Sequence, residues 1–219
     1  IGQYAFAGCD LLKDINLSNV STFNNNVFYK CTSLENVDLK NAEFIKESAF
    51  ESTSIEGNLV LNNLTYVGDY AFKDAMFTTF TAPKLEHIGY YAFQNNEKLA
   101  EFIFSNKLSF IGSAAFNNCV SLSKYGYYTS DGNVLGDGII NDYALLDKGS
   151  LYTYMNNGKL QLSSVPQNME THTLEVLEGT ARIDFFAGNE NKSVKRIILP
   201  DSLEIIGNYA FYGYNGLQT

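Results

Sequence analysis

Apolar and polar positions follow one another in an order that returns roughly every 22 residues along the chain. A hexapeptide marks each return: IGQYAF at 1–6, VGDYAF at 67–72, IGYYAF at 88–93, IGSAAF at 111–116 and IGNYAF at 206–211. Degenerate copies stand as FNNNVF at 23–28, IKESAF at 45–50 and IDFFAG at 183–188. The closing Phe falls at 6, 28, 50, 72, 93 and 116, in steps of 22, 22, 22, 21 and 23. Six residues after it comes an aliphatic side chain such as Leu12, Leu34, Leu99, Leu122, Val194 or Leu217. Nine and eleven after it come pairs such as Ile15/Leu17, Val37/Leu39, Phe102/Phe104 and Ile197/Leu199. Alternation over so short a stretch predicts a strand with one face turned inward. One unit of this size cannot bury its own apolar edge, so the units must stack as coils with equivalent strands paired in parallel. The predicted architecture is a solenoid.

Position within the coil sets further expectations. The recurring Phe residues should form a column along the axis. Ala5, Ala49, Ala71, Ala92, Ala115 and Ala210, each just before the Phe slot, suit close backbone packing. Four residues before that slot, Gly2, Gly68, Gly89, Gly112 and Gly207 alternate with Asn24, Lys46 and Asp184. Gly exchanging with Asn and Asp predicts a left-handed backbone conformation there. One segment breaks the period, since 72 residues separate Phe116 from Gly188, which occupies the Phe slot of its copy. Within it, 137–140, Tyr143 to Leu146, Leu151 to Met155 and Leu160 to Leu162 read as strands. Asp147-Lys148-Gly149 and Asn156-Asn157-Gly158 read as the turns between them. The phase is expected to return near Leu174.

The run Val194-Lys195-Arg196-Ile197-Ile198-Leu199-Pro200, followed by Ile206-Gly207-Asn208-Tyr209-Ala210-Phe211, fits L-x-x-I-x-L-P and then I-G-x-x-A-F. With x-x-C-x-x-L after the Phe in other copies, this resembles the BspA-like class of leucine-rich repeats. Asp137-Gly138-Ile139-Ile140 and Val176-Leu177-Glu178-Gly179 are similar to that family's D-G-V-L-Y hairpin and its re-entry segment. The resemblance implies a leucine-rich-repeat right-handed solenoid with β-rich coils of about 22–23 residues, short helical turns, a parallel strand ladder and a β-hairpin insert. Residues 1–219 are expected to form a single domain, with coils over 1–122 and 174–219 and the insert over about 123–173. Both ends cut through a repeat, so a longer parent protein is expected. The resemblance also implies an extracellular, bacterial cell-surface setting and adhesion to a host or neighbouring-cell protein or glycan. It implies no catalytic residues. A structural spacer without a ligand is the alternative.

Composition narrows the partners. Of 219 residues, Lys and Arg number 15 against 24 Asp and Glu, a net charge of −9. Without a basic patch, nucleic acid is not an expected partner. No apolar run reaches the roughly 18 residues that would span a bilayer, so this segment is not expected to insert into a membrane. There are 16 Phe and 15 Tyr but no Trp, which fits one residue type recurring at one structural position.

The chemical inventory is thin. Cys9, Cys31 and Cys119 each sit three after the repeat Phe and read as small buried residues in one column. Cys9 and Cys31, on adjacent coils about 5 Å apart, could form a disulfide, but free thiols are favoured because Cys119 has no neighbour in its column. His87 and His172 lie elsewhere in the coil frame, so neither a Cys-His nucleophile nor a zinc site can be assembled. The run DGNVLGDGIIND at 131–142 fails the spacing of a calcium loop in either register. No metal, cofactor or enzymatic activity is expected. The candidate site is the outward face of the ladder. There Val60, Ile103 and Ile198 put apolar groups where solvent is expected, beside Asp38, Thr81, Glu101 and Arg196. Apolar clusters rimmed by polar groups often mark binding surfaces.

Overall fold

The computed structural model describes residues 1–219 apart from 130, 137, 142, 143, 148, 149, 156, 167, 168, 170, 186, 189, 190 and 219, with the backbone alone at 139–141 and 144–147. It is a β-solenoid. One ladder begins with β1 (Asp14–Ile15) beside β3 (Asn36–Val37). It continues as a separate parallel sheet of β5 (Glu56–Val60), β7 (Met76–Thr81), β9 (Glu101–Phe104) and β11 (Lys124–Tyr128). A second wall stacks β2 (Thr22–Phe23), β4 (Phe44–Ile45), β6 (Tyr66–Val67), β8 (His87–Ile88) and β10 (Phe110–Ile111), also in parallel.

Between walls the chain passes through the hexapeptide, and here the short helical turns expected from the family resemblance are absent. No described residue is helical. Left-handed φ occurs two before the Phe slot, at Tyr4, Asn26, Ser48, Tyr70, Tyr91, Ala114 and Tyr209, and again two after it, at Gly8, Lys30, Ser52, Asp74, Asn95, Asn118 and Gly213. This alternation aims every second amide along the solenoid axis. Tyr70, Phe72 and Asp74 donate to the carbonyls of Tyr90, Ala92 and Gln94 at 2.9, 2.8 and 2.9 Å. A helix would aim those amides back along its own turn. The inter-coil bonds hold tyrosines in a conformation that L-residues adopt at a cost of about 1–2 kcal/mol each.

The glycines four before the Phe therefore serve another purpose than the left-handed one expected. None of Gly68, Gly89, Gly112 and Gly207 has positive φ. A Cβ on Gly89 would lie 2.4 Å from the Asp69 amide nitrogen, and one on Gly112 2.4 Å from that of Tyr90. They are glycine because the coil before them packs against their backbone. A Cβ on Gly2 would meet nothing within 4 Å.

The Phe column forms as expected. Rings of Phe6, Phe28, Phe50, Phe72, Phe93 and Phe116 stack in sequence with centroids 5.1, 5.4, 5.6, 5.7 and 5.4 Å apart. The column three residues on satisfies carbonyls. The Cys31 and Cys119 thiols donate to Phe6 O and Phe93 O, both at 3.0 Å, and Asn96 Nδ2 donates to Phe72 O at 2.7 Å. All three cysteines are free, but Cys9, on the first coil, is exposed rather than buried. Burial pushes the Cys119 thiol up to about 12 and raises Cys31 as well. Thiolate is the reactive form. Iodoacetamide near pH 8 should therefore leave Cys31 and Cys119 unmodified in the native chain and reach them only after unfolding, as counted by mass spectrometry. Rapid native labelling of Cys119 would contradict this packing.

The insert is antiparallel, as expected. After β12 (Val134–Leu135) it runs through β13 (Gly138–Asn141), β14 (Ala144–Asp147), β15 (Ser150–Tyr154) and β16 (Leu160–Ser164). Asp137, Asp142, Tyr143, Lys148, Gly149 and Asn156, named in the sequence reading, lie outside the described residues. Stacking resumes earlier than Leu174. Strand β16 pairs in parallel with β18 (Thr180–Ile183), which pairs in parallel with β20 (Ile205–Ile206). The Val165 amide donates to Ala187 O at 2.9 Å, as Phe93 does to Ala115 O at 2.8 Å. On the ladder side β17 (Thr173–Glu175) pairs with β19 (Arg196–Ile198) as a sheet of its own.

Two apolar cores result, and β15 borders both. Leu151 belongs to the first core, its neighbour Tyr152 to the second. Polar contacts tie the two together. Buried Asp184, on the second, accepts from Ser113 Oγ at 2.7 Å and Gln161 Nε2 at 3.1 Å. The Tyr125 hydroxyl meets Ser164 Oγ at 3.0 Å. In the second core the Phe column is interrupted by Gly188, and the ring of Tyr214 takes the space. A Cβ on Gly188 would lie 1.9 Å from the Tyr214 hydroxyl oxygen.

Candidate functional site

Strand register decides which of the predicted ladder residues meet. Val60, Thr81, Ile103 and Gly126 are successive partners across β5, β7, β9 and β11, forming one outward row. Val60 is 53% exposed, a large apolar group in solvent. Ile103 is not: only 7% of it is accessible. The expectation of an outward apolar contact fails there because the insert folds back over the ladder. Strand β12 pairs antiparallel with the end of β11, Leu135 opposite Tyr127 and Val134 opposite Tyr128. A Cβ on Gly126 would touch both Ile103 Cδ1 at 2.9 Å and Val134 Cγ1 at 3.1 Å. Val134 and Leu135 are themselves 47% and 51% exposed, so the apolar surface lost at Ile103 reappears on β12.

The remaining candidates lie in different places. Glu101 stands one row away, in register with Thr79 and Lys124, and its carboxylate pairs with Lys124 Nζ at 2.6 Å. Asp38 follows β3, on the far side of the break between the first two ladder sheets. Lys40 holds its carboxyl below the usual range, through an ammonium hydrogen bond at 2.8 Å and an amide hydrogen bond at 3.1 Å. Arg196 and Ile198 belong to the β17–β19 sheet, where Ile198 is 40% exposed and in register with Glu175. The seven residues are therefore spread over three sheets, with Val60 and Thr81 forming the accessible centre.

At the break between β3 and β5 the ladder face opens into a groove of about 500 Å³, lined by Asp14, Glu35, Asn36, Asp38, Glu56 and Leu59 among others. Asn36 Nδ2 donates to Asp14 Oδ1 at 2.8 Å, fixing one wall. Carboxylates frame the groove, and a ligand there would meet negative potential beside the apolar side chain of Leu59, the chain neighbour of Val60.

The reactive residue types are engaged elsewhere. His87 lies between the rings of Tyr66 and Phe110, at 4.5 and 4.6 Å, and burial lowers its pKa against an opposing pull from Asp69. His172 Nδ1 meets Ser193 O at 2.8 Å. Among the described residues, no group of three or more His, Cys, Asp or Glu is placed to hold a metal ion. No helix among them is long and apolar enough to cross a membrane.

The sequence reading missed an aromatic row on the second wall: Phe44, Tyr66, His87 and Phe110, all in register on β4, β6, β8 and β10. The signal was present. Each precedes a core aliphatic (Ile45, Val67, Ile88, Ile111), and strand alternation turns such neighbours to opposite faces.

The fold is shared with solved bacterial proteins. A leucine rich cell surface protein from Faecalibacterium prausnitzii is 24% identical, with a TM-score of 0.84 over 100% of this chain and 56% of that one. A leucine-rich repeat protein from Eubacterium ventriosum is 18% identical, with a TM-score of 0.78 over 95% of this chain and 53% of that one. The pneumococcal vaccine antigen PcpA is 21% identical, with a TM-score of 0.78 over 94% of this chain and 49% of that one. The chain thus spans about half the length of each. No curated protein sequence matches it. The profile of the BspA type leucine rich repeat region matches six copies, over residues 1–77, 65–190 and 182–219. With every coil inside that match, the chain belongs to the BspA-type leucine-rich repeat family.

Proposed function

We propose that this solenoid is a non-catalytic binding module displayed on a bacterial cell surface, and that it adheres to a host or neighbouring-cell protein or glycan through its ladder face. The observation that carries the proposal is Val60, 53% exposed at the edge of a regular strand row, next in sequence to Leu59 of the carboxylate-framed groove. Exposed apolar groups inside a polar rim are the usual anatomy of a contact surface. The cell-surface setting is supported by family membership and by the surface protein of F. prausnitzii that shares the fold. A non-catalytic role is supported by the placement of Cys31, Cys119 and both imidazoles, which are bonded to carbonyls or stacked between rings.

The test is capture from extracellular-matrix and mucin preparations by the native chain and by a Val60→Lys/Thr81→Lys double variant. Both positions face outward, so the variant should keep the fold, whereas Ile103→Lys would place a charge under β12. A ladder-face partner should bind the variant about tenfold more weakly or worse. Equal capture by both would move the site elsewhere, and no capture by either would favour a structural spacer.

A further inference from the structure

The aromatic row of the second wall ends in a groove. Tyr66, His87 and Phe110 stack face to face, with centroids 4.5 and 4.6 Å apart and ring planes within 10° and 12°. Phe44 is in strand register with Tyr66 yet 42% exposed, and among the described residues the stack stops at Tyr66. Between Phe44 and Tyr66 opens a groove of about 420 Å³, further lined by Asn25, Lys46, Glu47 and Asp69. His87 lies on the coil after Tyr66, whereas Phe44, Lys46 and Glu47 lie on the coil before it. One face of the Tyr66 ring is therefore covered by imidazole, and the other borders the groove.

The groove is negative. Asp69 Oδ1 accepts the Tyr90 amide at 2.8 Å and Glu47 Oε2 accepts from Asn25 Nδ2 at 3.3 Å, which anchors both carboxylates. The one basic lining residue, Lys46, directs its ammonium to Asn24 Oδ1 at 2.9 Å, and Asn24 is not part of the lining. After burial, Asp69 and then Glu47 are what raise the Tyr66 phenol above its ordinary range, so both carboxylates act on that ring.

We propose that this groove binds the guanidinium of an arginine in a partner polypeptide, stacked on the open face of Tyr66 against Phe44 and paired with Glu47 and Asp69. A planar, weakly hydrated cation satisfies both features of the groove at once, because it stacks on aromatic faces and bonds carboxylates in two directions. A neutral sugar would stack equally well but leave two carboxylates partly desolvated without a counter-charge. The site is on a different wall from the ladder face, so it stands or falls independently of the proposal above.

The test uses N-acetyl-arginine N-methylamide titrated into the native chain, followed by aromatic ¹H–¹³C NMR. Saturable shifts confined to Phe44, Tyr66 and their neighbours are expected, with a dissociation constant on the order of 10 mM. The shifts should weaken in about 0.5 M salt. A Glu47→Gln/Asp69→Asn variant should bind at least about tenfold more weakly while its amide spectrum stays native, because the carboxamide that replaces Asp69 keeps an acceptor oxygen for the Tyr90 amide. Four results would overturn the assignment: no shift up to about 100 mM, undiminished binding by the variant, an equal response to the glycine or lysine counterpart, or a response to N-acetylglucosamine in place of arginine.

Discussion

Replacing Phe93 with alanine is expected to destabilise the solenoid by about 3–5 kcal/mol, the range for truncating a buried aromatic. Phe93 is fully buried and its ring meets five others. Phe72 and Phe116 lie above and below it in the column, at 5.7 and 5.4 Å, and Phe77, Phe80 and Phe102 meet it edge-on at 6.2, 4.9 and 5.1 Å. Neighbours fixed by inter-coil hydrogen bonds cannot close the void without breaking register. At this chain length each kcal/mol lowers the melting temperature by about 2–4 °C. Stability in a solenoid is a sum over coils and their interfaces, so denaturation should be followed by two probes and not assumed two-state. Phe44→Ala, outside the core, is the control and should shift stability by about 0.5 kcal/mol or less. A loss below about 1 kcal/mol at Phe93 would mean that the column collapses around the gap.

The second large effect is expected at Asp184→Ala, about 2–4 kcal/mol, from leaving three half-buried donors without their shared acceptor. Asp184 is 3% exposed, and it accepts from Ser113 Oγ, Gln161 Nε2 and the Phe185 amide at 2.7, 3.1 and 2.8 Å. Those donors come from the coil before the insert, the insert's returning strand and the coil after it. Asp184→Asn retains one acceptor oxygen and should cost less. The alanine variant should also show faster proteolysis near the insert, because the contact that fastens the second core to the first is lost. An alanine variant as stable as the parent would show that Tyr125, Ser164 and β15 hold the junction unaided.

The period, the Phe column and the antiparallel insert were legible in the sequence because each follows from spacing or alternation within one segment. Features that depend on two segments were not. Ile103 sits in a row that alternation places outward. What buries it is β12, some 30 residues later, and nothing local to Ile103 signals that. The glycines misled for a different reason. Both a left-handed φ and a close backbone approach select glycine, and Asn24 and Asp184 in the same slot favoured the first. The left-handed positions in fact lie two before and two after the Phe, and at the first of these stand Tyr4, Tyr70, Tyr91 and Tyr209, whose type gives no hint of it. For the candidate site, the sequence named the row of Val60 and Thr81 but not the breaks that divide the ladder into three sheets. It also did not join Phe44, Tyr66, His87 and Phe110 into one row, although their alternation with core aliphatics was readable.

The exchange at Gly188 and Tyr214 bears on how such a protein can change its number of repeats. Coils from Phe28 to Phe116 present the same ring to the coil above and below, so recombination between their coding segments could delete or duplicate one and leave the ring column matched. The last two coils are keyed to each other. Gly188 vacates the Phe slot and Tyr214, in the slot that holds cysteine, asparagine, threonine or alanine elsewhere, fills it. Moving either coil next to an ordinary one would set a tyrosine against a phenylalanine or leave a hole of side-chain size. Crossing-over should therefore disturb the first stack less than the second, and length variation among close relatives is expected to fall before the insert.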